Sequence, residues 1–178
     1  MIDGVRVPCE ECGFDPESAA PDELPDAVRA LSRRYSIPLS RFLAGEDGDA
    51  IVRQRPAPDV WSALEYACHV RDVLSLFDGR IHRALDETDP ELDSWDQDGA
   101  AVTDGYNEQD PARVADALAA NAETLATTLQ LVPGGGWERT AVRAGDQLTV
   151  LEMGRYALHE GHHHLLDVGR SLRAARGR

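Results

Sequence analysis

Four of the six histidines in this 178-residue chain lie within six positions, at His159, His162, His163 and His164. In a helix, residues four apart stand one above the other, so His159 and His163 can bind one metal ion together. His159 and His162, three apart, form a rival pair, whereas His164 is expected on another face. A fifth histidine, His69, lies far upstream in a segment that also has helical patterning. If the two helices face each other, His69 completes a three-histidine metal site.

Three neutral imidazoles suit Zn²⁺, Ni²⁺ or Fe²⁺ better than Mg²⁺ or Ca²⁺, which prefer oxygen ligands. Three protein ligands leave positions open for water or substrate, which is typical of a reactive centre. Such a metal lowers the pKa of bound water and drives hydrolysis, or it binds a thiol as the nucleophilic thiolate. The structural alternative is a solvated histidine cluster without a metal.

Apolar residues recur with helical spacing in four segments, and no segment has convincing strand character. The sequence therefore predicts an all-α four-helix bundle over residues 22–178, preceded by an irregular segment over residues 1–21. Pro38 is expected to kink the first helix or to end its regular part near Ile37. Residues 137–148 are expected to be a connector with a short extended excursion. The four predicted helices cover about 22–44, 61–86, 110–132 and 149–172.

Glu65 has two interpretations, which the sequence does not separate. With Ser62 it fits a capping box, in which the hydroxyl and the carboxylate satisfy free backbone N–H groups at a helix start. Glu65 also lies one turn before His69, where it is a candidate to orient a metal-binding imidazole from behind. A second capping box, formed by Thr149 and Glu152, is predicted at the start of the last helix.

The irregular segment contains Cys9-x-x-Cys12, and Cys68 is the only other cysteine. A low, odd number of cysteines indicates reduced thiols rather than a disulfide framework. A Cys-x-x-Cys pair supplies half of a zinc site, but no second pair exists to complete it. Three interpretations stay open: a loosely docked thiol loop, a small metal knuckle completed by other residues, and a redox pair.

An acidic stretch over residues 87–110 joins the second and third predicted helices and contains Trp95, Asp96, Asp98 and Tyr106. A connection of this length is typically functional or disordered, and its aromatic residues favour a docked loop. We predict a pocket lid in which Trp95 and Tyr106 stack on a substrate and Asp96 or Asp98 approaches the metal. The alternative is that both aromatic residues pack over the end of the bundle.

The formal net charge of −14 argues against a nucleic-acid partner, because a phosphate backbone would be repelled. The arginines near the C-terminus are expected to complement a helix end. No apolar run is long enough to span a membrane. Residues 1–4 lack the features of a signal peptide, so a cytoplasmic location is expected.

The residues Trp61-Ser62-x-x-Glu65-x-x-x-His69-x-x-Asp72, followed far downstream by His159-x-x-His162-His163, resemble the DinB-like superfamily. That group includes damage-inducible proteins and relatives of mycothiol-dependent maleylpyruvate isomerase and S-transferases. The resemblance implies an up-down-down-up four-helix bundle with one divalent metal, usually Zn or Ni. It assigns His69, His159 and His163 as ligands and His162 as a non-ligand between them.

The resemblance also implies a function, which is metal-dependent transfer of a low-molecular-weight thiol, mycothiol, to a small electrophile. All 18 basic residues are arginine, which fits a GC-rich, mycothiol-producing source. One alternative is a metal-dependent hydrolase with an acid from residues 87–110 as general base. Another is a non-catalytic stress or interaction protein with a structural metal. A homodimer is expected by analogy with the family.

Overall fold

The computed structural model describes residues 6–177. Residues 1–5, on which the signal-peptide expectation rests, and Arg178 of the basic C-terminus lie outside the described part. Two short helices, α2 (Gly48–Arg53) and α4 (Gln97–Thr103), and a hairpin of β1 (Thr140–Arg143) and β2 (Asp146–Thr149) accompany the bundle. The four long helices are α1 (Leu24–Ser40), α3 (Ala63–Asp86), α5 (Pro111–Gln130) and α6 (Val150–Ala175).

The long helices form a four-helix bundle, which confirms the predicted fold class. Helix α1 packs against α5 and α6, and α3 packs against the same two helices. Helices α3 and α6, which carry the predicted metal ligands, are therefore direct neighbours. None of the helices within residues 6–177 combines the length and the apolar character that crossing a membrane requires.

Both predicted capping boxes are present, and one of them determines where α3 begins. The Ser62 hydroxyl accepts from the Glu65 N–H at 3.2 Å, and the Ser62 N–H donates to the Glu65 carboxylate at 2.8 Å. The same carboxylate, only 2% exposed, pairs with Arg55. Because the first turn is fixed in this way, the direction in which His69 leaves α3 is fixed as well.

The structure differs from the sequence prediction at the end of α1 and in residues 87–110. Helix α1 continues through Pro38 to Ser40, because Pro38 lies in the last turn and the Arg41 N–H still bonds to the Ile37 carbonyl at 3.0 Å. Residues 87–110, expected to lack regular structure, contain α4 and a 3-10 turn at Tyr106–Glu108.

The connector before α6 is a two-stranded hairpin, although the sequence had no convincing strand. Its turn residues Ala144 and Gly145 have φ angles of 53° and 87°. Tight hairpins favour such left-handed pairs, but they normally use Asn-Gly or Asp-Gly. Alanine at the first position is unusual, so the turn carried little sequence signal.

Gly161 on α6 allows α1 to approach closely. A Cβ atom at Gly161 would lie 2.5 Å from Leu31 Cδ1, and Leu31 is fully buried. The Tyr35 hydroxyl donates to the Gly161 carbonyl at 2.8 Å across the same contact.

We therefore expect Gly161→Ala to destabilise the protein by about 1–3 kcal/mol, because the added methyl overpacks this contact. Gly169, in the same helix, has open space around its Cα, so Gly169→Ala is the matched control. The control should stabilise by up to about 1 kcal/mol through helix propensity. Urea unfolding of both variants measures the difference, and equal effects would contradict the close approach.

Candidate metal centre

Three side chains from the facing helices α3 and α6 converge on one point. His69 Nε2 lies 3.2 Å from Glu160 Oε2, and His164 Nε2 lies 3.4 Å from the same oxygen. The potential ligand atoms of these three residues all lie within 4.8 Å of one another. Glu160 and His164 are four apart on α6, so they share a face, and that face is turned toward His69 on α3.

The surroundings hold both imidazoles in place. The His164 Nδ1 atom lies 3.0 Å from Asp167 Oδ2, and the Tyr66 ring stacks on the His164 ring with centroids 5.2 Å apart. Trp95 stacks almost parallel on His69, with an interplanar angle of 9°. A carboxylate behind an imidazole sets its tautomer and orientation, as is common behind metal-binding histidines.

Burial and mutual contacts shift the pKa values of all three groups. Burial lowers the pKa of His69, and Glu160 only partly offsets this. Burial also acts on His164, but hydrogen bonds to Asp167 and Glu160 outweigh it and raise the His164 pKa to about 9. Although burial favours a neutral carboxyl, the two imidazoles hold the pKa of Glu160 far below its usual range. The metal-free centre therefore contains an anionic Glu160 beside a cationic His164.

A small cavity adjoins the centre, and a larger cleft has two lining residues in common with it. A small cavity of about 50 Å³ lies beside His69 and Glu160, and its rim includes Arg80, Arg143 and Trp95. A larger cleft of about 460 Å³ shares Leu76 and Trp95 with the small cavity. Trp95 therefore separates a space of a few water molecules from one that holds a small molecule. The larger cleft is otherwise lined by Arg71, Asp72, Ser75, Ala100, Asp104, Tyr106 and Gln109.

The predicted ligand set His69, His159 and His163 is not the set that the structure brings together. His159 and His163 lie on a different face of α6, where their ring nitrogens and the thiols of Cys9 and Cys12 are within 4.8 Å of one another. The reason is rotational, because successive helical residues point about 100° apart. Moving the pair by one residue, to Glu160 and His164, turns it toward His69.

His162 and Cys9 complete the description of the histidine-rich turn. His162 faces Arg34, and burial together with this cation lowers the pKa of His162 to about 4. The Cys9 thiol has its pKa lowered to about 6, first by the Cys12 backbone N–H and then by His159.

The other predicted residues have structural contacts of their own. Glu65 caps α3 and pairs with Arg55, so the capping interpretation describes its contacts. Asp96 caps α4 by accepting from the Gly99 N–H at 3.0 Å, and it does not line the small cavity. Tyr106 is fully buried and donates to Asp72 at 2.5 Å. Trp95 stacks on a metal-ligand candidate, His69, at a centroid distance of 5.3 Å.

The sequence prediction did not select Glu160, His164 and Asp167, which the structure places in one cluster with His69. The signal was present, since Glu160-x-x-x-His164 has the same spacing as His159-x-x-x-His163. The prediction favoured a third histidine over a carboxylate as the ligand, so it selected His159 and His163 instead of Glu160 and His164. Arg80 and Arg143 were also missed, because only the fold brings α3 and β1 to one cavity.

A family model described as the DinB superfamily matches residues 39–168 of the chain. The chain belongs to the DinB superfamily. The matched residues contain α3, α5 and most of α6, and therefore every residue of the His69–Glu160–His164 centre of this DinB-superfamily chain. No curated protein matches the sequence.

A solved structure supports the same fold for this DinB-superfamily chain. YfiT from Bacillus subtilis superposes with a TM-score of 0.80 over 98% of each chain, at 13% sequence identity. YfiT is described as a probable metal-dependent hydrolase with an unusual four-helix bundle topology. At this identity the likeness establishes the shared fold.

Asp167→Asn tests the electrostatics of the metal-free centre. In the folded protein the pKa of His164 is raised to about 9, above the usual value of 6.5. The stability that this proton contributes is present below about pH 6.5 and is lost as the pH rises through about 9. Removing the Asp167 carboxylate should lower the His164 pKa and shrink this pH dependence.

The measurements are NMR titration of the His164 ring protons in chelator-treated protein and thermal unfolding from pH 6 to 10. Asp116→Asn is the control, because Asp116 is exposed on α5. An unchanged His164 pKa in Asp167→Asn would mean that a group other than Asp167 raises the pKa of His164.

Proposed function

We propose that this protein is a divalent-metal-dependent enzyme that transfers a low-molecular-weight thiol, mycothiol, to a small anionic electrophile. The observation that carries the proposal is the convergence of His69, Glu160 and His164 beside a cavity whose described lining has two arginines and no acid besides Glu160. The thiol proton is released to solvent, a sulfur lone pair forms the new C–S bond, and the bond from that carbon to its leaving group breaks, so that the leaving group departs with the bonding electrons.

The donor set fits a first-row transition metal. Two imidazoles and one carboxylate bind Zn²⁺, Ni²⁺ or Fe²⁺, whereas Mg²⁺ and Ca²⁺ prefer more oxygen atoms. Asp167 already orients His164, and among residues 6–177 the buried Nδ1 of His69 has no hydrogen-bond partner. When bound, such a metal supplies Lewis acidity, which lowers the pKa of a coordinated thiol or water.

The acid content of the small cavity favours a thiol over water as the nucleophile. Among residues 6–177, Glu160 is the only carboxylate on the cavity lining. Asp96 and Asp98, which were predicted to approach the metal, are the N-cap and a first-turn residue of α4, and neither lines this cavity. A thiol that has become a thiolate needs no base for its attack, whereas hydrolysis commonly uses one.

Two guanidinium groups make the cavity suitable for an anion. Arg80 donates to the Asp93 carbonyl and lies over the Phe77 ring. Burial, followed by the nearby Arg143, lowers the Arg80 pKa to about 10, so Arg80 remains cationic at neutral pH. Within the described residues neither arginine has an ion-pair partner, which leaves both charges available to a carboxylate of the electrophile.

The larger cleft has the polar lining that the body of the thiol requires. Mycothiol carries sugar and inositol rings with many hydroxyl groups, and the cleft offers Asp104, Gln109 and Ser75 as partners. Because Leu76 and Trp95 line both spaces, the sulfur would reach the metal centre past Trp95 while the rings stay in the cleft.

A metal-dependent hydrolase is the second candidate. Two observations favour it: zinc hydrolases also use a two-histidine, one-glutamate set, and YfiT is described as a probable metal-dependent hydrolase. In this alternative the same residues hold the metal, but a water replaces the thiol. A non-catalytic protein with a structural metal is the remaining outcome of the experiment below.

Metal-loaded protein incubated with mycothiol and a panel of electrophiles should form a conjugate, detected by mass spectrometry. Chelation and Glu160→Gln should each abolish it, because both remove the metal. No metal-dependent conjugate near pH 7 would contradict the proposal, and ester or amide hydrolysis without a thiol would establish the hydrolase instead. A large loss of thermal stability on chelation without turnover would indicate a structural metal.

Arg143→Gln tests the assignment of the anion. We expect KM for a carboxylate-bearing electrophile to rise about tenfold, since one charge-assisted hydrogen bond is lost. KM for a neutral electrophile should stay unchanged. Arg113→Gln, at an exposed position on α5, is the matched control. Equal effects on both electrophiles would show that Arg143 has no role in recognising charge.

Trp95→Ala tests the place of the thiol. Loss of the indole should weaken thiol binding roughly three- to tenfold, because Trp95 lines the route between the two spaces. Metal content must be measured in parallel, because Trp95 also stacks on His69. Unchanged thiol affinity at full metal content would exclude a thiol position beside Trp95.

A further inference from the structure

The N-terminal Cys-x-x-Cys is not loose; it forms a tight turn on the surface of α6. The Cys9 N–H donates to the Phe14 carbonyl at 2.8 Å, and the Gly13 N–H donates to the Cys9 carbonyl at 2.8 Å. Gly13 has a φ angle of 72°, a left-handed conformation that glycine adopts without strain. Both cysteines are reduced in the structure.

The turn is fixed to the bundle by its neighbours. Phe14 is almost fully buried and stacks on the His159 ring, with centroids 5.3 Å apart. Glu11, between the two cysteines, pairs with Arg170 on α6. These contacts hold the thiols over the His159 face of α6.

We propose that Cys9, Cys12, His159 and His163 form a second metal site, of the structural zinc type, separate from the His69 centre. Their four candidate ligand atoms all lie within 4.8 Å of one another. Two thiolates and two imidazoles are a donor set that zinc binds tetrahedrally in small structural sites.

The distance between Cys9 and His163 matches the separation of two ligands on one zinc ion. Zn–S and Zn–N bonds of about 2.3 Å and 2.0–2.1 Å place sulfur and nitrogen about 3.5 Å apart at two corners of a tetrahedron. Cys9 Sγ and His163 Nδ1 are 3.6 Å apart. The separation of Cys9 Sγ and His163 Nδ1 is therefore the one that two ligands of a single zinc ion would have.

His159 supplies a second, independent observation. Its side chain is buried, and within the described residues neither Nδ1 nor Nε2 forms a hydrogen bond of normal geometry, although the ring lies close enough to the Cys9 thiol to lower the pKa of that thiol. A buried imidazole with both nitrogens unsatisfied is unfavourable. A metal bound by one of them removes this penalty and explains why a polar ring lies under Phe14.

His163 is supported from its other side. While its Nδ1 faces Cys9, its Nε2 lies 3.5 Å from Glu11 and 3.8 Å from Asp167. A carboxylate that accepts from the distal nitrogen is the usual support of a metal-binding histidine. His163 therefore has one nitrogen beside the Cys9 thiol and the other near two carboxylates.

The two sites use interleaved pairs on the same helix. His159 and His163 face the cysteine turn, whereas Glu160 and His164, each one residue later, face α3. The zinc site would fasten residues 9–12 to α6, and it does not share a ligand with the His69 centre.

The experiment uses the full-length, untagged chain loaded with Co²⁺ in place of zinc. Thiolate ligation produces a sulfur-to-cobalt charge-transfer band in the near ultraviolet, which nitrogen and oxygen ligands do not produce. We expect this band together with about two ions per chain by elemental analysis. Cys9→Ser and Cys12→Ser should each remove the band and about one ion per chain, while circular dichroism shows an intact bundle.

Two variants make the result specific. Cys68→Ala is the matched cysteine control, since Cys68 is buried in the core and lies outside the cluster, so the band should persist. His69→Ala should also keep the band but lose the other ion. Failure of the His69 centre to bind metal or to catalyse would therefore not be confused with failure of this site.

Loading without a charge-transfer band would overturn the proposal, as would a Cys9→Ser protein that retains its full metal content. Alkylation gives a second measurement: Zn²⁺ should protect Cys9 and Cys12, and chelation should expose them. A Cys9–Cys12 disulfide that forms readily in the presence of Zn²⁺ would instead identify a redox pair.

Discussion

The carboxylate of Glu160 lies between His69 Nε2 at 3.2 Å and His164 Nε2 at 3.4 Å, and its side chain is 17% exposed. A carboxylate so far removed from water is stable only if cations or hydrogen-bond donors compensate its charge. His164 compensates this charge from the same helix, α6, whereas His69 belongs to α3, so the His69 contribution exists only while the two helices are packed in one rotational setting. The metal centre, its cavity and the position of Trp95 all depend on this contact.

Helix α6 carries two pairs of residues with the same four-residue spacing, and the two pairs lie on different faces of the helix. Glu160 and His164 face α3, whereas His159 and His163 face the turn that contains Cys9. Gly161, between them, leaves the space that Leu31 of α1 occupies. Residues 159–164 therefore present candidate ligands in two directions and a close helix contact in a third.

Two segments outside the bundle supply side chains that surround the His69–Glu160–His164 cluster. Residues 87–110 bring Trp95 over His69, and β1 brings Arg143 to the same cavity. The Leu92 N–H donates to the Val142 carbonyl at 2.7 Å, which joins these two regions. These segments enclose the His69–Glu160–His164 cluster beside two arginines, Arg80 and Arg143. Such segments have the freedom to vary while the bundle is kept.

The sequence by itself determined the elements whose causes are local. Apolar spacing predicted the four long helices, and the capping boxes at Ser62 and Thr149 located two of their starts, because a cap acts within one turn. The resemblance carried by His69 and the histidine cluster identified the superfamily. The hairpin was missed because its turn contains Ala144 at a left-handed φ of 53°, which local preference disfavours.

Only the tertiary structure decided which ligands belong together. Two pairs on α6 have the same spacing, and spacing cannot state how far a helix is rotated about its axis. That rotation is set by burial of apolar residues such as Met153 and Ala157 in the core, where α6 packs against α1 and α3. Once it is set, Glu160 and His164 meet His69, and His159 and His163 meet the two cysteines. The physical reason is that helix formation is local, whereas helix orientation depends on packing between segments distant in sequence.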